Sequence, residues 1–371
     1  MILGIDVSTL FDEYDNGAKY FSDGKLLNKY EPLDMFRNNG VSFMRIRLWN
    51  DPYDDKGNKY LGGTCDFDNF VRLSKLSMKK GYKILLDFHY SDFWADPGKQ
   101  MIPKAWRGLS LEQLEKEIYN YTLNTLEKAK NEGIKIEAVQ IGNEITNGIL
   151  WPIGRLIEEE GKERSNYDAL IKLLKSASLA VRKFDPSIML ILHLERSYDQ
   201  VIYNEFFTKM TVNNVDFDCI GASYYPYWHG TMDEFFANMK MCRKFNKKIM
   251  VMELGYAFTL EDYIKTNNGN IDLVVNKDNL NSFNFTKKYP FNPEGQRSFI
   301  KDFLELAKLN KLDGVFYWEP LWIPGKEICW ASVEGEEYIN ETNKPTRNEW
   351  ANQCLFDYDG NKLPSFDEFK L

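Results

Sequence analysis

Excess positive charge, paired cysteines, metal-spaced histidines and long apolar runs are all missing from these 371 residues, and each absence closes a route. The formal net charge of −8 removes the basic surface that nucleic acid or an anionic membrane would attract. No apolar run reaches membrane-spanning length. The five cysteines (Cys65, Cys219, Cys242, Cys329 and Cys354) are odd in number and scattered, with neither a CxxC pair nor a disulfide-framework spacing. The three histidines, His89, His193 and His229, fall at or after the ends of the third, fifth and sixth strand-like runs and cluster near one face. Neither HxH nor HExxH occurs, so no catalytic metal is expected. The first apolar run, IDVSTLF, lacks the Gly-rich turn of a dinucleotide-binding open sheet. MILGIDVSTLF also lacks a basic segment, a long apolar stretch and a cleavage site, and reads as the opening strand of the domain. The compartment is therefore cytoplasmic, or extracellular if a leader was removed before this numbering.

What is present is apolar and aromatic. A hydrophobic content of 43% supplies the core of one large domain over residues 1–371 without disulfides. Nine Trp, 21 Tyr and 25 Phe exceed what a core requires, and flat aromatic faces in clefts hold sugar rings. Strand-like runs are expected at Ile2–Val7, Phe43–Leu48, Lys83–Phe88, Ala138–Gly142, Met189–His193, Asp218–Tyr224, Lys248–Met252 and Gly314–Trp318. Helical spacing lies between them at Asn69–Lys80, Leu111–Asn131, Tyr167–Phe184, Tyr198–Met210, Met232–Phe245 and Glu294–Asn310. Alternation of this kind predicts an α/β fold, a parallel (β/α)₈ barrel, ahead of a doubly wound sheet. The long segments after the second, third and seventh strands would all lie at the C-terminal face. Of these, TNNGNIDLVVNKDNLN, within the stretch from 260 to 293, best fits disorder.

Two of the apolar runs end on carboxylates: EAVQIGNEIT delivers Glu144 and KKIMVMELGY delivers Glu253. One protonated and one ionised carboxyl group, both held rigidly, is the requirement of retaining glycoside hydrolysis. An isolated Glu at a strand end is usually a structural partner; two on separate strands, one preceded by an amide, point to catalysis. Asn143 beside Glu144 can hydrogen-bond a sugar 2-hydroxyl. Arg45 and Arg47 alternate onto one face in FMRIRLWN and would keep Glu253 charged, with Tyr224 as the expected hydroxyl donor. Glu195 and Glu319 also follow apolar runs and are decoys, Glu319 as a tie between loops. His89, ending LLDFH, is placed to contact substrate.

The chain resembles the glycoside hydrolase family 53 endo-β-1,4-galactanases (arabinogalactan endo-β-1,4-galactosidases). The likeness runs through GIDVSTL, RIRLWNDP, DFHYSDFWADPGKQMIPKAW, QIGNEITNGILWP, SYYPYWHG, VMELGYAFT, FYWEPLW and LFDYDGNKLPS, nearly the whole chain. The segment Asp87–Trp106 is the most specific, since the Glu pair is shared by cellulases, mannanases and xylanases. The resemblance implies a (β/α)₈ barrel and retaining hydrolysis of galactan, with Glu144 as acid/base and Glu253 as nucleophile. It implies substrate contacts from Asp87 and His89, and stacking of galactose units on Trp94, Trp228, Trp318 and Trp322. Many bacterial members of the family carry calcium after the seventh strand. LEDYIKTNNGNIDLV has lost the dense acidic spacing that a hard cation needs, Ala351 stands where a carboxylate would be expected, and only Asp262 is left. No cofactor, calcium included, is therefore expected. HLERSYD, with bulky Glu195 and Arg196, also departs from the small polar sequence expected there. The expected partner is the polysaccharide, with no nucleic acid or membrane, and the chain is expected to be a monomer. The competing readings are a mannan- or cellulose-active relative, a galactan-binding protein without catalysis, and a phosphate-handling barrel, which would need a Gly-rich anion loop.

Overall fold

The computed structural model describes residues 1–159, 162–264, 273–280, 288–340 and 347–371. Eight parallel strands close into a barrel: β1 (Ile2–Asp6), β2 (Phe43–Leu48), β3 (Lys83–Phe88), β4 (Ile136–Ile141), β5 (Met189–Leu194), β6 (Cys219–Tyr224), β7 (Lys248–Leu254) and β8 (Gly314–Trp318). Each strand pairs with its neighbours in sequence, and β8 closes on β1. This is the expected (β/α)₈ barrel. Half of TNNGNIDLVVNKDNLN lies outside the described residues, which omit 265–272 and 281–287, and the expectation of disorder there falls outside with it.

The helices packed outside are α1 (Leu10–Asp15), α2 (Glu31–Asn38), α3 (Phe67–Lys79), α4 (Leu111–Asn131), α5 (Tyr167–Phe184), α6 (Gln200–Val212), α7 (Met232–Cys242), α8 (Pro293–Leu309), α9 (Val333–Ile339) and α10 (Pro364–Glu368). Side-chain caps set their starts. Ser110 and Gln113 form a reciprocal capping box at α4, as Thr231 and Glu234 do at α7. Helix α6 starts two residues later than its periodicity predicts, because the Asp199 carboxylate accepts from the N–H groups of Val201 and Ile202. Strand β4 starts two residues earlier than expected, and β7 runs two residues further, to Leu254. The short helices α1, α2, α9 and α10 give too few turns for the periodicity to register.

Inside the barrel, alternation sorts residues by height. At the floor, Phe43, Leu85, Ala138, Ile191, Cys219, Met250, Met252 and Phe316 form a closed apolar plug. Small residues make room for the large ones: a Cβ on Gly4 would stand 2.2 Å from the Phe316 ring. Higher up six of the strands the inward positions turn polar, with Asp6, Arg45, Asp87, Gln140, His193 and Ser223 all buried. The candidate site stands on that polar layer.

Candidate active site

Arg45 is the hub. Its guanidinium reaches Asp6 Oδ2 at 3.0 Å, Asp87 Oδ2 at 2.8 Å and Glu253 Oε1 at 3.0 Å, and it donates to Asn143 Oδ1 at 2.8 Å. A planar fork of fixed charge joins four strands or strand ends in this way, which a lysine could not do. Arg47, one inward position higher, does not reach Glu253 as expected. It is taken up by Asp6 at 2.9 Å and Glu319 at 2.7 Å, and lies over the Trp94 and Trp318 rings. Glu319 also accepts from the N–H and hydroxyl of Thr9, so it ties β8 to the β1 loop as anticipated.

Glu253 owes its direction to an irregularity. Met250 and Met252 both point into the barrel, so a regular strand would turn Glu253 outward. The pairing instead shifts: Ala222 opposes Val251, but Ser223 opposes Glu253. This bulge re-aims the carboxylate into the mouth. Glu144 arrives differently. After β4 ends at Ile141, Gly142 adopts φ +87° and Glu144 φ +48°, and this left-handed turn carries Asn143 and Glu144 over the barrel rim. One oxygen of Glu144 and one of Glu253 lie within 4.8 Å of each other.

The hydroxyl donor to Glu253 is Tyr225, at 2.8 Å, and not Tyr224. With Gly221 and Ser223 facing inward, Tyr224 must face outward; its ring packs on Phe235 and Phe303 and its hydroxyl donates to the Gly230 carbonyl. The two carboxyls differ in their surroundings. Burial raises the pKa of both, but Arg45 and the Tyr225 hydroxyl hold Glu253 back. Glu144 is pushed well above the usual range, first by burial and then by the charges of Glu253 and Glu195. Ser223 Oγ shares a 2.5 Å hydrogen bond with Glu144 Oε1.

A cavity of about 450 Å³ opens over these groups, lined by Arg47, His89, Trp94, Asn143, Glu144, Glu195, Tyr225, Trp228, His229, Glu253 and Trp318, with further residues at its rim. Arg45 and Asp87 lie beneath it, fully buried. His89 Nδ1 accepts from Trp49 Nε1 and the Ala95 N–H, which leaves the proton on Nε2, 3.2 Å from Asp87. Trp322 is not in the lining; it is buried behind Trp94 and Trp318. Trp330 and Trp350 line the cavity in its place, Trp330 stacked on Trp94 at 4.2 Å and Trp350 edge-on to Trp318 at 4.6 Å. Both sit in loops after β8 with no periodic pattern to announce them. Glu195 also lines the cavity. Its carboxyl is buried, Arg196 Nε stands 3.6 Å away, and burial pushes its pKa up to about 7 against the pull of Thr146 and Arg196.

Glu144, His193 and Glu253 converge closely enough to raise the question of a metal. Both ring nitrogens of His193 are already hydrogen-bonded, to Asn143 and Ser223, and the Arg45 cation touches Glu253. That donor set does not fit a cation.

The sequence matches the model of glycosyl hydrolase family 53 over residues 2–369. The chain belongs to glycosyl hydrolase family 53. It is 33% identical to an endo-β-1,4-galactanase of Bacillus subtilis (strain 168), over all of this chain and 85% of that protein. The family 53 catalytic domain from Ignisphaera aggregans superposes with a TM-score of 0.85 at 36% identity, covering 99% of this chain and 95% of that one. A structure from a study of two fungal β-1,4-galactanases superposes with a TM-score of 0.75 at 26% identity, covering 100% and 98%. As a family 53 member the chain is a glycoside hydrolase, and the cavity at the C-terminal rim is where a barrel of this kind carries its chemistry.

Proposed function

We propose that this family 53 barrel is an endo-acting, retaining β-1,4-galactanase. The observation that carries the reading is the separation of Glu144 and Glu253. Oxygens within 4.8 Å suit the separation of about 5–5.5 Å between the carboxyls of retaining enzymes, and fall short of the about 6.5–9.5 Å that lets an inverting enzyme seat a water beside the sugar. Substrate class rests on the galactanase relatives, and the open, Trp-lined cavity suits a polymer crossing it.

Glu144 gives its proton to the glycosidic oxygen as that C–O bond breaks and Glu253 attacks the anomeric carbon. Water then attacks the same carbon, handing its proton to Glu144 as the ester bond to Glu253 breaks. Environment divides the labour: Glu253 has a guanidinium and a hydroxyl donor to stabilise its charge, and Glu144 has negative neighbours that favour its neutral form. Asn143 Nδ2 gives one of its two hydrogens to the Ala95 carbonyl, which leaves the other for a sugar 2-hydroxyl. Trp94, Trp228, Trp318, Trp330 and Trp350 offer faces for sugar rings.

No cofactor enters this reading. Asp262, the acidic residue left for calcium, is ion-paired to Arg347, a fixed positive charge where the cation would sit. We take the working unit to be a monomer acting on polysaccharide. Among the described residues no helix is long and apolar enough to cross a membrane.

Reducing-sugar release from debranched β-1,4-galactan, with mannan and carboxymethyl-cellulose in parallel, tests the assignment. Activity on galactan alone is expected, with Glu253→Ala losing at least about 10³-fold in kcat while still binding galactan. Hydrolysis of mannan or cellulose in preference would overturn the substrate, and a fully active Glu253→Ala would overturn the nucleophile. Binding without turnover would identify a galactan-binding protein.

A further inference from the structure

Asn143 determines the direction of a hydrogen-bond chain that ends on Glu144. Its amide Nδ2 donates to the Ala95 carbonyl at 2.8 Å, which turns Oδ1 into the barrel. There Oδ1 meets Arg45 Nη2 at 2.8 Å, Gln140 Nε2 at 3.1 Å and His193 Nδ1 at 2.9 Å. A guanidinium only donates, so this amide cannot be turned round, and an amide oxygen only accepts. His193 must therefore carry its proton on Nδ1. The ring is fully buried, and burial, followed by the nearby Arg45 charge, drives its pKa well below 6.5, so it is neutral and Nε2 presents a lone pair. Ser223 Oγ lies 2.9 Å from that lone pair and 2.5 Å from Glu144 Oε1. Serine has one proton to give. Given to Nε2, it leaves Oγ to accept from Glu144, which needs the proton of the neutral acid. Given to an ionised Glu144, it leaves two acceptors facing each other at 2.9 Å.

We propose that Ser223 and His193 are positioning residues that hold Glu144 in its protonated form through the one-way chain Glu144 to Ser223 to His193 to Asn143. This deepens the galactanase reading and rests on Glu144 being the acid/base. When Glu144 passes its proton to the departing oxygen, Ser223 must swing to the new carboxylate and His193 Nε2 loses its donor. The ionised state is thereby made more basic, which suits it to draw the proton from the incoming water.

The other groups facing Glu144 are Glu253 on β7, Glu195 after β5, Asp96 in the loop after β3, Tyr203 on α6 and Tyr225 after β6. None of them changes when Ser223 is replaced, and a Ser223 hydroxyl that donated to Glu144 would itself lower the carboxyl's pKa, so a fall on its removal belongs to the chain in which His193 Nε2 holds the serine proton. In the full-length protein, Ser223→Ala removes the acceptor and should lower the pKa of Glu144. The basic limb of kcat/KM on debranched galactan then moves to lower pH by about one unit, roughly tenfold less activity on that limb. Ser223→Thr should restore the limb, and a dinitrophenyl galactobioside, whose leaving group needs no proton, should be hydrolysed with the basic limb far less affected. A limb that moves to higher pH, or not at all, would overturn the proposal. The tautomer is an independent readout that needs no variant. With three histidines in the chain, ¹⁵N-histidine spectra should show one buried neutral ring protonated at Nδ1, assigned to His193 by its loss in His193→Gln. A neutral His193 protonated at Nε2 overturns the chain. Failure of wild-type protein to cleave galactan would count against the functional reading, and the tautomer would still be measurable.

Discussion

One hydroxyl separates the two carboxylates in kind. Tyr225 donates to Glu253 at 2.8 Å, and a hydrogen bond to a charged group contributes about 1.5–3 kcal/mol. The bond favours the ionised form, so removing it raises the pKa of Glu253. Tyr225→Phe should therefore move the acid limb of kcat/KM to higher pH by about one to two units. The same change at Tyr224, whose hydroxyl goes to the Gly230 carbonyl, should leave that limb in place. A pH profile of the two variants side by side checks both statements. The pair also shows what the sequence contained but did not announce. Both tyrosines sit in SYYPYWHG, and only strand alternation from Gly221 and Ser223 separates the inward ring from the outward one. Arg45 and Arg47 differ similarly: both point inward, but one inward step of height decides which of them meets Glu253.

At the scale of an element, the turn after β4 is the exposed point of the design. A Cβ on Gly142 would stand 2.5 Å from Ile145 Cγ2, at a φ of +87° that side chains rarely adopt. Gly142→Ala should cost about 1–3 kcal/mol, measured by urea denaturation, and should lower kcat/KM further than that stability loss explains. The reason is that Asn143 and Glu144 ride on the same turn. The elements themselves were legible wherever they were long. Helices over Leu111–Asn131 and Tyr167–Phe184 and strands over Phe43–Leu48 and Lys83–Phe88 stand where their periodicity puts them. The bulge in β7 was not legible. KIMVMEL reads as a plain apolar run, and the extra residue appears only when Ser223 is seen opposite Glu253.

For the whole molecule, the barrel is held at mid-height by charge rather than by packing. Arg45 joins Asp6 of β1, Asp87 of β3 and Glu253 of β7, with no exposure at the arginine. Removing one member of such a network strands the others in the interior, at about 3–5 kcal/mol. Arg45→Met, similar in length and apolar, should lower the free energy of unfolding by that amount, read as a lower urea midpoint at an unchanged m-value. A variant as stable as the parent would mean that Asp6 and Asp87 find other partners or water.

Composition, periodicity and the Glu-bearing motifs determined the barrel and the candidate carboxylates, because strand and helix signals are local and recur every few residues. Tertiary structure alone decided which tyrosine serves Glu253, that Trp330 and Trp350 rather than Trp322 face the cavity, and that Ser223 and His193 stand between Glu144 and Asn143. Those choices depend on register, on one bulge and on loops that meet only after the barrel has closed. No short window of sequence contains both partners of such a contact.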